Sequence, residues 1–399
     1  MVVLAGAGVA GYFYFFNNTA GVAVAPSDEA SLPTAGEDGS IPDDAVTTNT
    51  PISSTSTSPT SSASTPTAVS SRLVKISAGP VVPGGVVVSK RATASSTTET
   101  RVSYIERQSG NVYSYSVNTR TNTRTGNRTI PGIQSATWFP NASSTLVKYL
   151  SGADFLTINS YALPANGSAG FFLQQNLSDV AVSEDGILTL SSGVNGSVAS
   201  LSRIDGTRPS ELFTTPLSSL RVSFAGKKQY LIFTKPSAKL AGSAFLVDGT
   251  GRFSRIAGPL NGLVAKSSPS GKWVLVSHTS NGVMQMSLIN TATAESIILP
   301  IATIADKCVW ASNDSAIYCG VPISPSTNFN YPDDWYQGAV SFSDRIWRID
   351  VAGRYAQFVL DFSKESGEVL DATALAIDQL NTTLVFVNKK DSSLWSYSL

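Results

Sequence analysis

Six segments of this chain repeat one pattern at a nearly constant interval: a short apolar strand, a polar turn and a second apolar strand. They are SATWFPNASSTLVKYLSG, DVAVSEDGILTLSS, RVSFAGKKQYLIFTK, LVAKSSPSGKWVLVSH, KCVWASNDSAIYCGV and ALAIDQLNTTLVFVN. The residues just ahead of each turn, Trp138, Val182, Phe224, Ser267, Trp310 and Ile377, are spaced by 44, 42, 43, 43 and 67 positions. A period of about 40 to 45 residues marks an array of identical supersecondary units that bury their faces only against one another. Two further strand-like runs follow each hairpin, such as SVASLSRID and then SELFTT, so each unit supplies four antiparallel strands. That is the content of one β-propeller blade.

A further unit fits ahead of Trp138, in GGVVVSKRA, TRVSYIERQSG, NVYSYSVNT and TGNRTIPG. The expected blades run near 83–132, 133–176, 177–216, 217–259, 260–301, 302–368 and from 369. The last reaches only three strands before the chain stops at LWSYSL. Arg72 to Ser77, RLVKIS, is placed to supply the missing outer strand and close the ring, which would leave no open sheet edge in that blade. The fold expected is all-β, a seven-bladed β-propeller of four-stranded antiparallel blades over residues 72–399, with six or eight blades as the alternative counts.

Ser268-Pro269-Ser270-Gly271-Lys272-Trp273-Val274-Leu275-Val276-Ser277 resembles the S-P-D-G-K-x-I-x-F-x-S hairpin of TolB-type, WD-repeat-like propellers, with Ser270 in place of Asp. Ser183-Glu184-Asp185-Gly186 is a weaker match. The resemblance covers the blade hairpins of residues 133–399 and implies a fold, since one fold serves many functions. The whole chain is also similar to membrane-anchored propeller proteins of unknown function. It departs from true WD repeats in lacking their Gly-His and Trp-Asp dipeptides, and no peptidase domain follows the propeller.

Ahead of the repeats, residues 1–16 (MVVLAGAGVAGYFYFF) carry no charge, and the weakly polar run continues to Ala25. Sixteen helical residues cover roughly 24 Å, and the continuation to Ala25 makes a membrane span over residues 1–25 feasible. Ala23-Val24-Ala25 offers the rival reading, a signal-peptide cleavage site, which the missing basic n-region and Pro26 weaken. Residues 26–71 are rich in Ser, Thr and Pro and contain no aromatic, so they are expected to form a disordered linker. The localisation this implies is a single-pass membrane protein with its propeller on the extracytoplasmic side.

Residues 1–71 hold six acids and no base, leaving 28 basic and 22 acidic residues for the rest. That mild excess forms no Lys/Arg block, which argues against nucleic acid as a partner. Cys308 and Cys319 lie equidistant from a turn centred on Asn313 and Asn313's neighbour Asp314. In an antiparallel hairpin they would be opposed and within disulfide reach, free thiols being the alternative. His278 is the single histidine, too few for the usual zinc sites or a comfortable Ser-His-Asp triad. No catalytic residue, metal or cofactor is assigned.

The long 67-residue interval places a Pro-, Asn- and Tyr-rich insertion at Pro322 to Ser343, between the second and third strands of the sixth blade. It gathers Phe329, Tyr331, Asp333, Asp334, Trp335 and Tyr336, the candidate binding residues. Exposed aromatics in a long loop make a binding surface, whereas a loop folded over the propeller end would use them for packing. Sequons at Asn127, Asn141, Asn166, Asn176, Asn195, Asn313 and Asn381 would matter only in a eukaryotic secretory pathway. The function expected is a non-catalytic binding or scaffolding module for a protein or glycan. The alternatives are a propeller hydrolase or lyase acting on polysaccharide and a subunit of an envelope assembly.

Overall fold

A computed structural model describes residues 72–91 and 98–399. The expected anchor at 1–25 and linker at 26–71 lie outside these residues. Among the described residues no helix is long and apolar enough to cross a membrane.

The described strands assort into seven four-stranded antiparallel sheets, six of them built from four consecutive strands at 86–124, 133–172, 177–215, 220–261, 264–298 and 308–361. The seventh combines Ala372–Ile377, Thr383–Asn388 and Leu394–Ser398 with Leu73–Lys75 from the start of the ring. The seven-bladed propeller with an amino-terminal clasp is therefore the fold, and the blades are numbered 1 to 7 in that order. Strands A to D run from the channel outward within each blade. Because successive turns alternate ends, A–B and C–D turns lie on one face, and B–C turns and blade-to-blade links lie on the other.

Burial follows radius. Middle strands face a neighbouring blade on both sides, so Gln229–Thr234 (QYLIFT) and Thr383–Asn388 (TLVFVN) read as unbroken apolar runs, and the second is buried throughout. An outer strand such as Thr121–Arg124 is exposed along its length. Between blades the core is continuous: Leu231 and Phe233 of blade 4, Val274 and Val276 of blade 5, and Ile317 and Ile349 of blade 6 belong to one buried cluster.

The clasp pairs Leu73 with Tyr397, Val74 with Ser396 and Lys75 with Trp395. Arg72 donates from Nε to the Ser398 carbonyl at 2.9 Å and stacks on Tyr397, and the Leu394 N–H donates to Ser77 Oγ at 2.9 Å. Leu73, Trp395 and Tyr397 are all buried in the core of blades 6 and 7. The cysteines are opposed as the hairpin register requires and form a disulfide, with Cα atoms 4.0 Å apart.

Gly226 and Gly271 hold the A–B turns of blades 4 and 5 together. Both have positive φ, and a Cβ at Gly271 would stand 2.2 Å from the Ala225 carbonyl oxygen. The glycine of the SPSGK segment is thus required by close backbone approach as well as by turn geometry. Replacing Leu73 by Asp is expected to cost about 3 kcal/mol in chemical denaturation, because it buries an unpaired carboxylate at the closure. The same change at the half-buried Val74 should cost clearly less.

Candidate functional site

The insertion leaves blade 6 after Pro322, closes at its base with the Ile323 N–H donating to the Ser343 carbonyl at 2.9 Å, and lies across the B–C face as a cap. A short helix, Asp333–Tyr336, forms directly after Pro332. Asp333 accepts the Ala238 N–H at 3.1 Å from blade 4, and Thr279 Oγ1 of blade 5 donates to the Tyr331 carbonyl at 2.9 Å. Tyr331 and Trp335 are 1% and 2% exposed and pack on Phe342. Phe329, Asp333 and Asp334 are half-buried, and Asp334 accepts the Asn330 N–H at 2.7 Å within the cap itself. Of the six candidate residues Tyr336 is the most exposed, at 39%, while Tyr331 and Trp335 serve the packing of the cap and present no aromatic surface.

Tyr336 connects the cap to the channel. Its hydroxyl donates to Asp306 Oδ2 at 2.6 Å, and Arg221 on the inner strand of blade 4 donates to the same oxygen at 2.7 Å. About a third of the Arg221 side chain and a quarter of Asp306 remain open to water. Burial alone would push the Asp306 carboxyl up, but Arg221 and the Tyr336 hydroxyl outweigh it and hold the carboxyl below its usual range. Lys266, on the inner strand of blade 5, donates to the Cys308 carbonyl. Burial pushes its amine down, with Asp306 opposing and Arg221 reinforcing. Asp179 of blade 3 accepts the Val222 N–H at 2.8 Å. Arg221, Lys266, Asp306 and Asp179 thus form a charged belt inside the ring, and Lys148 of blade 2 adds a further base close to Asp179.

Beneath the cap lies a second ionic group, wholly buried. Lys307 Nζ is 2.7 Å from Asp344 Oδ2 and in direct contact with Asp371 Oδ1. Trp335 Nε1 and the Phe342 N–H donate to Asp371 Oδ2 at 3.0 and 2.9 Å, so the cap is fastened to this group.

The opposite mouth, on the A–B face, is open. The inner-strand ends and turns of blades 2 to 7 enclose a cavity of about 1060 Å³. Its wall carries Ser183, Ser267, Ser268, Ser270 and Ser312 with Phe224, Trp310 and Gln379, and its charges are Glu184, Asp185, Lys227 and Lys266. The rim is pinned turn to turn: Asp314 of blade 6 accepts from Ser268 Oγ at 2.9 Å, and Asn381 of blade 7 accepts the Ser312 N–H at 2.9 Å. Large exposed apolar side chains gather instead on the B–C face, at the tips of blades 2 to 6: Phe155, Leu156, Val194, Leu240, Val283 and Ile323.

His278 lies inside the second strand of blade 5, Trp273–Ser280, and faces Gln285 across the ladder. Its Nδ1 is buried without a partner, and burial lowers its pKa. Among the described residues no three His, Cys, Asp or Glu side chains come together as a metal-binding set.

No family model and no curated protein matches the sequence. Solved structures do match. An oligogalacturonate lyase in complex with manganese shares 8% identity at a TM-score of 0.50, over 81% of this chain and 98% of that one. The oligogalacturonate lyase of Vibrio parahaemolyticus gives 9% and 0.50, over 80% and 98%. Its structural neighbours also include TolB. That protein, from Acinetobacter baumannii, shares 11% identity at a TM-score of 0.43, over 68% of this chain and 62% of that one. At these identities the likeness is one of fold.

The Asp306 carboxylate is stabilised by folding, so its contribution is present above the usual aspartate pKa and is lost as pH falls through its lower folded value. Asp306→Asn should lower stability near pH 7 by about 2 kcal/mol, since Arg221 loses its partner, and should flatten the acid limb of the stability profile below about pH 4. Thermal melts from about pH 2.5 to 8 on both proteins check this.

Proposed function

We propose that the protein is a membrane-tethered, extracytoplasmic binding module, non-catalytic, that takes a polar ligand of a protein or glycan partner in the open mouth on the A–B face. The observation that carries this reading is the mixed character of that cavity: about 1060 Å³, walled by serine hydroxyls and two aromatics beside the aliphatic side chains of Val182, Val309, Leu375 and Ile377, with two acids balanced by two lysines. Hydroxyl and amide groups beside an aromatic face suit a sugar or a peptide loop, and a rigid pinned rim limits the ordering cost of binding. The disulfide fits an oxidising compartment, and the apolar segment at 1–25 with the linker at 26–71 supplies the tether in this reading.

A lyase acting on polysaccharide is the alternative supported by the fold shared with the two oligogalacturonate lyases. Lys266 on the cavity floor, with its amine lowered by burial, is the group such a reaction would use as base. The manganese named for one neighbour has no matching donor set among the described residues, and no step is derived through it. An assembly role is favoured by a different observation, the exposed apolar tips on the B–C face.

Saturation-transfer NMR with short neutral and uronate oligosaccharides is expected to detect binding that weakens tenfold or more, about 1.4 kcal/mol, in Phe224→Ala and in Lys227→Ala. Binding unchanged in both variants would remove the cavity as the site. Release of unsaturated product from oligogalacturonate, lost in Lys266→Met, would replace the binding reading with the lyase.

A further inference from the structure

Lys307, Asp344 and Asp371 meet where water does not reach, with all three side chains fully buried. Lys307 stands at the entrance to blade 6 and Asp371 at the entrance to blade 7, 64 residues later, while Asp344 opens the third strand of blade 6. Lys307 Nζ also donates to the Ala372 carbonyl at 3.0 Å, and the rings of Trp335 and Phe342 seal it at 4.9 and 5.1 Å. Asp371 Oδ2 receives two N–H donors from the cap, Trp335 Nε1 and the Phe342 amide. Asp344 Oδ2 receives the Ala372 N–H at 2.7 Å, and its Oδ1 is buried with no partner.

One fully buried ammonium facing two carboxyls in a dry, aromatic-walled pocket, with Lys389 Nζ 5.2 Å from the Trp335 ring, is a costly ion group. It is also an amine held against a carboxyl with a second acid alongside and two N–H donors aimed at one carboxyl oxygen. We propose that Lys307 and Asp371 condense spontaneously into an intramolecular amide, with Asp344 as the proton relay.

The atoms balance without an oxidant or a co-reactant. Lys307 Nζ passes one proton through Asp344 to Asp371, leaving a neutral amine and a neutral acid. The Nζ lone pair attacks Asp371 Cγ, and the charge that develops on Oδ2 lies against Trp335 Nε1–H and the Phe342 N–H, in the manner of an oxyanion hole. Asp344 takes a further proton from Nζ and hands it to the departing Oδ1 hydroxyl, which leaves as water while the carbonyl re-forms. One N–C bond is made and one C–O bond is broken. Burial raises the Asp344 carboxyl to about 6, with Lys307 opposing and the Asp371 charge reinforcing, which suits an acid–base group working near neutrality. Amines and carboxylic acids condense poorly in water, but effective molarities of about 10⁵ to 10⁸ M are reached when folding holds the groups in place. The product would tie the entrances of blades 6 and 7 together across the base of the cap.

The test is peptide mapping by mass spectrometry of the purified full chain, reduced first so that the disulfide does not confuse the linkage. The expected result is that the Lys307 and Asp371 peptides are recovered as one branched species, lighter than their sum by one water, about 18 Da, and resistant to trypsin after Lys307. Lys307→Arg and Asp344→Asn should each give linear peptides of full mass. Recovery of a linear peptide cleaved after Lys307 from the wild-type protein would overturn the proposal whether or not any variant folds. So would a dehydration mapped to another residue. A branched species that persists in Asp344→Asn would overturn the assigned relay.

Discussion

A ring of seven sheets has to meet itself, and everything else in this molecule depends on how it does so. Within a blade, hydrogen bonding is local and runs from each strand to the next in sequence. Between blades no strand ladder forms, only side-chain packing and single hydrogen bonds such as Ser268 Oγ to Asp314, so the last blade would fall one strand short of its six neighbours if the chain merely stopped. Leu73–Lys75 supplies that fourth strand by pairing with Leu394–Ser398, so that the ladder of blade 7 is made from both ends of the described chain. That pairing, with the packing of Val87 and Val102 of blade 1 on Val385 and Val387 of blade 7, closes the circle that holds the inner strands around the channel.

Ring closure also explains where the charges sit. Inner strands converge on the axis, so side chains from blades far apart in sequence come within reach of one another. Arg221 and Asp306 are 85 residues apart and share a bidentate pair, while Lys307 and Asp371 are brought together from the starts of two adjacent blades. The two mouths differ accordingly. On the B–C face the long insertion folds down, with Trp335 and Phe342 held by Asp371 and Tyr336 reaching Asp306. The A–B face has short turns pinned to their neighbours, and it is the end left open to solvent.

Features carried within one blade were legible in the sequence. The hairpin repeat fixes its own period, and the cysteines oppose each other because a two-strand register is a local property. The clasp was legible too, because the last blade counts only three strands, whereas the side-chain partners that one blade offers another were not. The spacing of Phe329, Tyr331, Trp335 and Tyr336 says that aromatics are concentrated there, but exposure is decided by partners such as Thr279 and Asp371 that only the ring supplies. Lys307 carried a signal that was available and unused: a lysine immediately before the inner-strand segment CVW, at a position that blade packing buries. Arg221 and Lys266, charges within otherwise apolar inner strands, carried the same signal. Their partners, Asp306 above all, could not be named from spacing, since no repeat rule relates one blade's charges to another's.

The shortness of the clasp has a mechanical meaning. Any pull on the chain ahead of Arg72 enters the ring through three residues of one outer strand, held by a short antiparallel ladder to the carboxyl-terminal strand. That strand is the first part of the ring to feel the load, and it can peel away while the six other blades keep all four of their own strands. A tensioned propeller of this design would therefore yield at its seam, at low force and reversibly, before any blade tears.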